Sequence, residues 1–208
     1  PSAVHTFCHA LPETWHQMGV ILAATDALNW YARLVGSDAG RLTDELVDLE
    51  APGRTLFLPY LGGERTPIND AAIRGAFLGL EHATDRAAAT RAVLEGVTFA
   101  IRDCRDALAA TGTTIDSLIA VGGGSRSDYW LRALATALGV SIDRPVAGDF
   151  GGAFGAARLA MMADGAGEVV AAPPESETRF DPDPALTGAF DEGHAAYVAA
   201  RQAIGTLS

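Results

Sequence analysis

Lysine is missing from all 208 residues of this sequence, so its 15 cationic side chains are all arginines. A P-loop needs a lysine that contacts phosphate, and a Schiff base forms on a lysine amine. The sequence therefore excludes both of these sites, together with any lysine clamp on phosphate. The Gly-x-Gly-x-x-Gly dinucleotide pattern is also absent, because Ser127 stands where the last glycine would follow Gly122 and Gly124.

Cysteine and positive charge are both scarce. Cys8 and Cys104 lie far apart in the sequence, which predicts no disulfide framework and no zinc site, and we expect both thiols to be small core residues in a reducing compartment. The formal net charge of −11 argues against binding to nucleic acid or to an anionic membrane. No apolar run reaches the length of about 18 residues that spans a membrane. We therefore expect a cytoplasmic protein with no nucleic-acid and no membrane partner.

The residues that are present predict an ordinary globular protein of one large or two small domains, with 49% hydrophobic and 20% charged side chains. Strands come first and then alternate with helices, which is typical of an α/β fold. Hydrophobic periodicity predicts strands at 4–10, 15–22, 55–60, 74–80, 118–121 and 140–143, and helices at 23–35, 41–49, 85–109, 125–138, 149–163 and 185–205. In the first two strands we expect a buried face made of Val4, Phe7, Met18, Val20 and Leu22.

The segment around residues 117–159 organises the chain. The apolar run 118–121 predicts a strand that is buried on both faces, and three glycines follow it at 122–124. Ser125 and Asp128 then form a Ser-x-x-Asp capping box for the next helix, which Gly139 ends. A strand, a glycine turn and a capped helix commonly build a nucleotide site. The same turn can also serve only to reverse the chain.

Two other segments carry polar residues of interest. Asn29 lies on a helix entered directly from a strand, so the first turns of this helix fall at the carboxyl edge of a sheet, where ligands bind. An asparagine that merely faces solvent is the alternative. Glu64 and Arg65 stand side by side in a glycine-rich loop, and an adjacent acid and base are usually solvated.

Five ordered motifs resemble the C-terminal domain of the FGGY carbohydrate kinases, and together they span nearly the whole chain. They are Leu-Pro-Tyr-Leu-Gly-Gly-Glu-Arg-Thr-Pro at 58–67, Arg-Gly-Ala-Phe-Leu-Gly-Leu at 74–80, Val-Leu-Glu-Gly-Val-Thr-Phe-Ala-Ile-Arg-Asp at 93–103, Val-Gly-Gly-Gly-Ser-Arg-Ser-Asp-Tyr-Trp at 121–130 and Gly-Ala-Phe-Gly-Ala-Ala-Arg-Leu-Ala at 152–160. Ala88 and Ala89 depart from the family pattern, which usually has an acidic or amide residue followed by an aliphatic one.

The resemblance implies an actin-like, ribonuclease H-like ATPase fold, with a mixed sheet and helices on both faces. Residues 1–208 would form the C-terminal, nucleotide-binding lobe of a two-lobe kinase, without its first strand and its Gly-Thr-Ser/Thr-Gly phosphate loop. The small residues at 152–157 match the helix on which the lobes of the family hinge. The nucleotide contacts carried over from the family fall on Thr25, Asn29, Gly123, Gly124, Ser125 and Asp128.

The implied cofactors are ATP or ADP and Mg²⁺. The implied reaction is ATP-dependent phosphorylation of a sugar, D-xylulose above all, with glycerol, ribulose or gluconate as alternatives. The resemblance places the catalytic aspartate and most of the sugar pocket in the N-terminal lobe, so we expect no catalytic and no metal-binding residue in this chain and no turnover by the chain alone. A homodimer and a non-catalytic actin-like binding module remain open as further alternatives.

Overall fold

The computed structural model describes residues 3–146 and 151–205, in which strands and helices alternate as an α/β protein. The strands are β1 His5–Cys8, β2 Trp15–Met18, β3 Leu56–Leu58, β4 Ala76–Leu78, β5 Ser117–Ile119, β6 Ser141–Pro145 and β7 Ser176–Phe180. The helices are α1 Thr25–Leu34, α2 Ala39–Asp44, α3 Arg86–Ala109, α4 Asp128–Leu138, α5 Gly151–Ala163 and α6 Thr187–Ile204. Residues 149 and 150, predicted to open α5, lie outside the described ranges.

The long helix α3 lies at the centre of the core. Asp85 caps it, because its carboxylate accepts the backbone N–H of Ala88 at 2.8 Å. Gly96 brings α3 against β3: a Cβ built at this position would lie 2.1 Å from the carbonyl oxygen of Phe57. On β3 and β4 the rings of Phe57 and Phe77 pack with their centroids 4.6 Å apart. Backbone contact between helix and strand therefore makes the small side chain necessary here.

The last helix, α6, is fixed to α3 and to the loop after β3 by buried polar groups. The hydroxyls of Tyr60 and Tyr197 lie 2.6 Å apart, and burial raises the pKa of Tyr60 to about 12. The buried carboxylate of Asp103 pairs with His194 at 2.9 Å and with Arg201 through its other oxygen. We call these five residues the Asp103 network. Because His194 and Arg201 of α6 both meet the same carboxylate, the network sets the position of α6 on α3.

Strands β5, β6 and β7 form a mixed three-stranded sheet, and helix α4 contacts β6 and β7. Strand β6 is parallel to β5 and antiparallel to β7. Strand β7 was not predicted, because its sequence, Ser-Glu-Thr-Arg-Phe, is mostly polar. The pairing of Ile142 with Phe180 shows what stabilises it, since both rest in the cluster beneath α4.

Several apolar segments are exposed where the sequence predicted burial. Phe7, Met18 and Leu22 are exposed, although they were expected on a buried face, and Cys8 is exposed as well. The physical reason is that β1 and β2 form a two-stranded sheet of their own. Strand β5 was predicted to be buried on both faces, but it is an edge strand of its sheet, and Ile119 is exposed. Helix α5 has no buried residue within the described ranges.

In the described part of the chain, no helix combines the length and the apolar character that crossing a membrane requires.

Candidate nucleotide-binding site

The glycine turn after β5 has a different geometry from the predicted capping box. Gly122 has a φ of +90°, which glycine tolerates because it has no Cβ, and residues 123–126 follow as a 3-10 turn. The hydroxyl of Ser125 donates to the carbonyl oxygen of Gly122 at 2.7 Å and so closes this turn. Ser127, not Ser125, caps α4, because its hydroxyl oxygen accepts the N–H of Trp130 at 3.3 Å. The predicted terminator Gly139 is confirmed in the left-handed conformation.

The other two glycines of the turn serve different purposes. A Cβ on Gly124 would lie 2.8 Å from the ring of Trp130 and 3.0 Å from the hydroxyl of Thr25, so this glycine lets the turn pack against α1 and α4. Trp130 is itself fixed, because its indole N–H donates to Thr98 at 3.0 Å in the core. A Cβ on Gly123 would meet no atom within 4 Å. Gly122 has nothing within 4 Å of its Cβ position either, but of these two glycines Gly123 is the one that lines the cavity described below.

Five of the six predicted nucleotide contacts line one cavity of about 840 Å³. They are Thr25, Asn29, Gly123, Gly124 and Asp128. Helix α1 contributes the first two, the glycine turn and the start of α4 contribute the others, and α2 forms a further wall. A cavity of this size falls within the range of small-molecule and cofactor sites. Ser125 differs from the other five, because its side chain is buried in the turn and does not line the cavity.

The cavity carries charges of both signs. Asp44 and Asp128 are its acidic residues, and Arg126 and Arg132 are its basic ones. The carboxylate of Asp128 is not free, because it accepts a hydrogen bond from Arg144 of β6 at 2.6 Å. Arg144 was not predicted as a site residue, because it lies outside the motifs. The acidic residue at 128 was the one feature of the sequence that suggested a cation close to the site.

Tyr129 also lines the cavity, yet its hydroxyl is enclosed and has no hydrogen-bond partner among the described residues. Burial is the main cause that raises the pKa of Tyr129, and the nearby Glu95 raises it further. The phenol therefore stays neutral over the whole physiological range. Tyr129 therefore contributes an uncharged aromatic ring to the wall of the cavity.

Glu64 and Arg65 do not line this cavity. The carboxylate of Glu64 is buried and accepts the N–H groups of Leu22 at 3.0 Å and of Arg65 at 2.7 Å. Burial raises the pKa of Glu64, while these two hydrogen bonds lower it. Glu64 thus fixes the glycine-rich loop to the segment that leads into α1.

Across residues 3–146 and 151–205, no group of three or more His, Cys, Asp or Glu side chains converges so that it could hold a metal ion by itself. Mg²⁺ needs a near-octahedral set of oxygen ligands, and it usually takes them from one or two carboxylates, waters and substrate phosphates. A Mg²⁺ ion that is bound together with a nucleotide does not need such a cluster.

Comparison with known proteins identifies the class. Residues 1–163 match the family model described as "FGGY family of carbohydrate kinases, C-terminal domain", and the chain belongs to this family. The predicted α/β, actin-like fold is thereby confirmed, since solved family structures align with the chain.

The particular relatives are sugar kinases. The xylulose kinase of Escherichia coli strain K12 is 45% identical over 164 residues, which is 78% of this chain and 34% of the relative. A crystal structure of a xyloylose kinase from Brucella ovis covers 100% of this chain and 43% of its own, with 58% identity and a TM-score of 0.94. A gluconate kinase from Lactobacillus acidophilus aligns with 26% identity and a TM-score of 0.78. The chain spans about a third of the length of the curated relatives it matches.

Proposed function

We propose that this chain is the nucleotide-binding half of an ATP-dependent sugar kinase whose acceptor is D-xylulose, giving D-xylulose 5-phosphate. The observation that carries the proposal is the convergence of Thr25, Asn29, Gly123, Gly124 and Asp128 on one cavity. Two relatives described as xylulose kinases, at 45% and 43% identity, support the choice of sugar.

The open backbone at Gly123 is the feature that suits a nucleotide. An adenosine can approach this main chain closely because no side chain stands between them. Thr25 and Asn29 of α1 add a hydroxyl and an amide to the lining of the same cavity. Phosphoryl transfer depends mainly on the alignment of donor and acceptor and on stabilisation of the transferred charge. In this proposal the chain holds the nucleotide in line, while the sugar and the general base belong to the N-terminal lobe.

The exposed apolar segments support a second lobe. Helix α5 carries a single charged residue, Arg158, in its thirteen residues, and none of its residues is buried. Isolated soluble domains rarely leave large apolar patches exposed without a functional reason. We infer that α5 and the edge strand β5 face the N-terminal lobe. The small residues 152, 153, 155, 156 and 157 would let the two lobes approach and hinge there.

ADP binding by this chain tests the site. Calorimetry on the 208 residues is expected to show weak ADP binding, and Gly123→Val should abolish it because the new side chain points into open space that the ligand would fill. The matched control is Gly62→Val, since Gly62 also has nothing within 4 Å of its Cβ position but lies outside the cavity. No ADP binding at millimolar concentration would contradict the proposal, and so would turnover by this chain alone.

Substrate choice is tested separately. The full-length protein that contains this chain should phosphorylate D-xylulose with a higher kcat/KM than ribulose, glycerol or gluconate. Equal or better use of gluconate would favour the alternative suggested by the gluconate kinase neighbour. A monomer in light scattering would exclude the homodimer. Absence of any sugar kinase activity in the full-length protein would favour the non-catalytic module.

A further inference from the structure

Arg144 on β6 joins three structural elements at the nucleotide cavity. Its Nη1 atom donates to Asp128 Oδ1 at 2.6 Å and to the carbonyl oxygen of Ser125 at 3.4 Å. Two of the residues on which a nucleotide contact is predicted therefore share one nitrogen of Arg144. Arg144 starts on β6, so its guanidinium links the sheet to the glycine turn and to the first turn of α4.

Strand β7 holds the other side of the guanidinium. Nη2 lies 3.4 Å from the hydroxyl of Thr178, Nε lies 3.6 Å from Glu177, and Cζ lies 5.3 Å from the ring centroid of Phe180. Thr178 is directly opposite Arg144 in the strand register, and Phe180 is opposite Ile142, so these residues share one face of the sheet. A planar guanidinium is suited to such a place, because it donates in several fixed directions and stacks on an aromatic ring.

Burial makes these contacts more than a surface ion pair. The Arg144 side chain is only 20% exposed, whereas that of Asp128 is 55% exposed toward the cavity. Arg144 is thus the anchored partner and Asp128 the accessible one. The cation fixes the carboxylate and offsets its charge at a cavity expected to hold a polyanion. Without Arg144, Asp128 would stand uncompensated beside the ligand and free to rotate.

From this geometry we propose that Arg144 is a positioning residue for nucleotide binding, acting through Asp128, and that β7 belongs to the site as the support of Arg144. The inference rests on the proposed function. It extends the site beyond residue 163, where the match to the family model ends, because Thr178 and Phe180 come from the following segment.

The test measures ADP affinity by calorimetry, and the KM values for ATP and sugar, in the full-length protein. Arg144→Met should weaken ADP binding about tenfold and raise the KM for ATP to a similar extent, with the sugar KM and kcat within twofold of wild type. Arg144→Lys should bind ADP more tightly than Arg144→Met but more weakly than wild type, since lysine keeps the charge but lacks the planar donor geometry of the guanidinium. Arg179→Met is the matched control: Arg179 lies on the adjacent strand and pairs with Asp143 on the other face of the sheet. It should leave ADP affinity unchanged.

Asp128→Asn provides the decisive background. If Arg144 acts through the carboxylate, Arg144→Met should cost less than about threefold in ADP affinity once Asp128 is an asparagine, since residues that act as a unit are not additive. A full tenfold loss in that background would overturn the inference, and so would equal losses in ATP and sugar KM, which indicate a general structural defect. Unchanged ADP affinity of Arg144→Met overturns this inference alone. A wild-type protein that binds no ADP overturns the proposed function, and the inference with it.

Discussion

The exposure of large apolar side chains differs between two sets of elements in this molecule. On the side formed by α3, β3, α4 and α6, large side chains are fully enclosed: Phe57 and Leu94 are 1% and 0% exposed. In β1, β2, α5 and the segment 117–121, which we together call the exposed side, side chains of the same kind are exposed, with Val121 58% and Phe154 45% exposed. Both sets of elements carry large apolar side chains, so hydrophobicity alone does not separate a core from an interface.

The difference teaches which contacts stabilise the chain by itself. Helix α3 obtains its burial from within the chain, because it packs on β3, α4 and α6. Helix α5 has no buried residue within the described ranges, and on β5 only Leu118 packs in part beneath α4, while Ile119 is exposed. We therefore expect substitutions that change packing to alter the stability of this chain on the enclosed side, and on the exposed side to alter packing only when a second lobe is present.

The largest effect is expected at the Asp103 network. Asp103→Ala removes the carboxylate that both His194 and Arg201 meet, and it leaves the buried Arg201 charge without compensation. Breaking a buried ion pair from one side costs about 3 to 5 kcal/mol of unfolding free energy. Urea denaturation measures this loss. Asp191→Ala is the matched control, because Asp191 pairs with Arg102 but is 55% exposed, and its loss should cost less than about 1 kcal/mol.

Glu95 gives the enclosed side a pH dependence. Burial raises the pKa of Glu95 to about 7, although Arg91 and the N–H of Gly53 lower it. Because the folded pKa lies above the unfolded one, the native state holds a proton that the unfolded chain releases. Stability is therefore full below about pH 4.5 and falls as the pH rises to about 7, by up to about 3 kcal/mol for this group.

Glu95→Gln should remove this slope. Denaturation midpoints at a series of pH values between 4 and 8 measure it, and the variant should be more stable than wild type at pH 8. A wild-type curve that rises over the same window, with Glu95→Gln parallel to it, would show that Glu95 is charged in the native state.

A third test makes the same substitution on each side. Gly96→Ala forces a methyl group against the carbonyl oxygen of Phe57 and should cost about 2 kcal/mol or more by overpacking. Gly155→Ala places a methyl group where nothing lies within 4 Å and should stabilise the chain by about 0.5 to 1 kcal/mol, since alanine favours the helix. Thermal denaturation of both variants shows whether each substitution lowers or raises the stability of the chain. Equal losses at the two sites would remove the distinction between the sides.

The smallest effect is expected for Phe154→Ser on α5. Its ring is 45% exposed and lies against the Arg158 side chain, 4.0 Å from guanidinium carbon to ring centroid. In this chain the unfolding free energy should change by less than about 0.5 kcal/mol, as is usual for surface positions. In the full-length protein the same change should raise the KM for sugar or ATP. A loss of stability in the isolated chain would show that α5 has a packing role there.

Local patterns were sufficient for much of the fold. Helix α3 was predicted within one residue at its start, because Asp85 is a strong capping residue and the periodic run behind it is long. Five of the six residues predicted to contact a nucleotide line one cavity. The prediction was possible because the order of the motifs is shared by a whole family. Their role in binding a nucleotide stays a prediction.

The rest depended on contacts that a local pattern does not contain. Ser125 and Ser127 both fit a capping position, and only the 3-10 turn at 123–126, which contains Ser125, decides which hydroxyl reaches α4. Strand β7 has little hydrophobic character and exists because it pairs with β6. Strand β5 is exposed because it lies at the edge of its sheet, and the sequence of a strand does not determine which strands lie beside it.

The hydroxyl contact between Tyr60 and Tyr197 joins residues 137 positions apart. A ribosome releases the chain from its N-terminus, so Tyr197 emerges 137 residues after Tyr60. Until then Tyr60 and Phe99 have no ring from α6 to cover them, and the nascent domain exposes this part of its interior. Completion of the interior therefore waits for the synthesis of α6, and a nascent chain stalled before residue 187 should be far more sensitive to protease than one that includes α6.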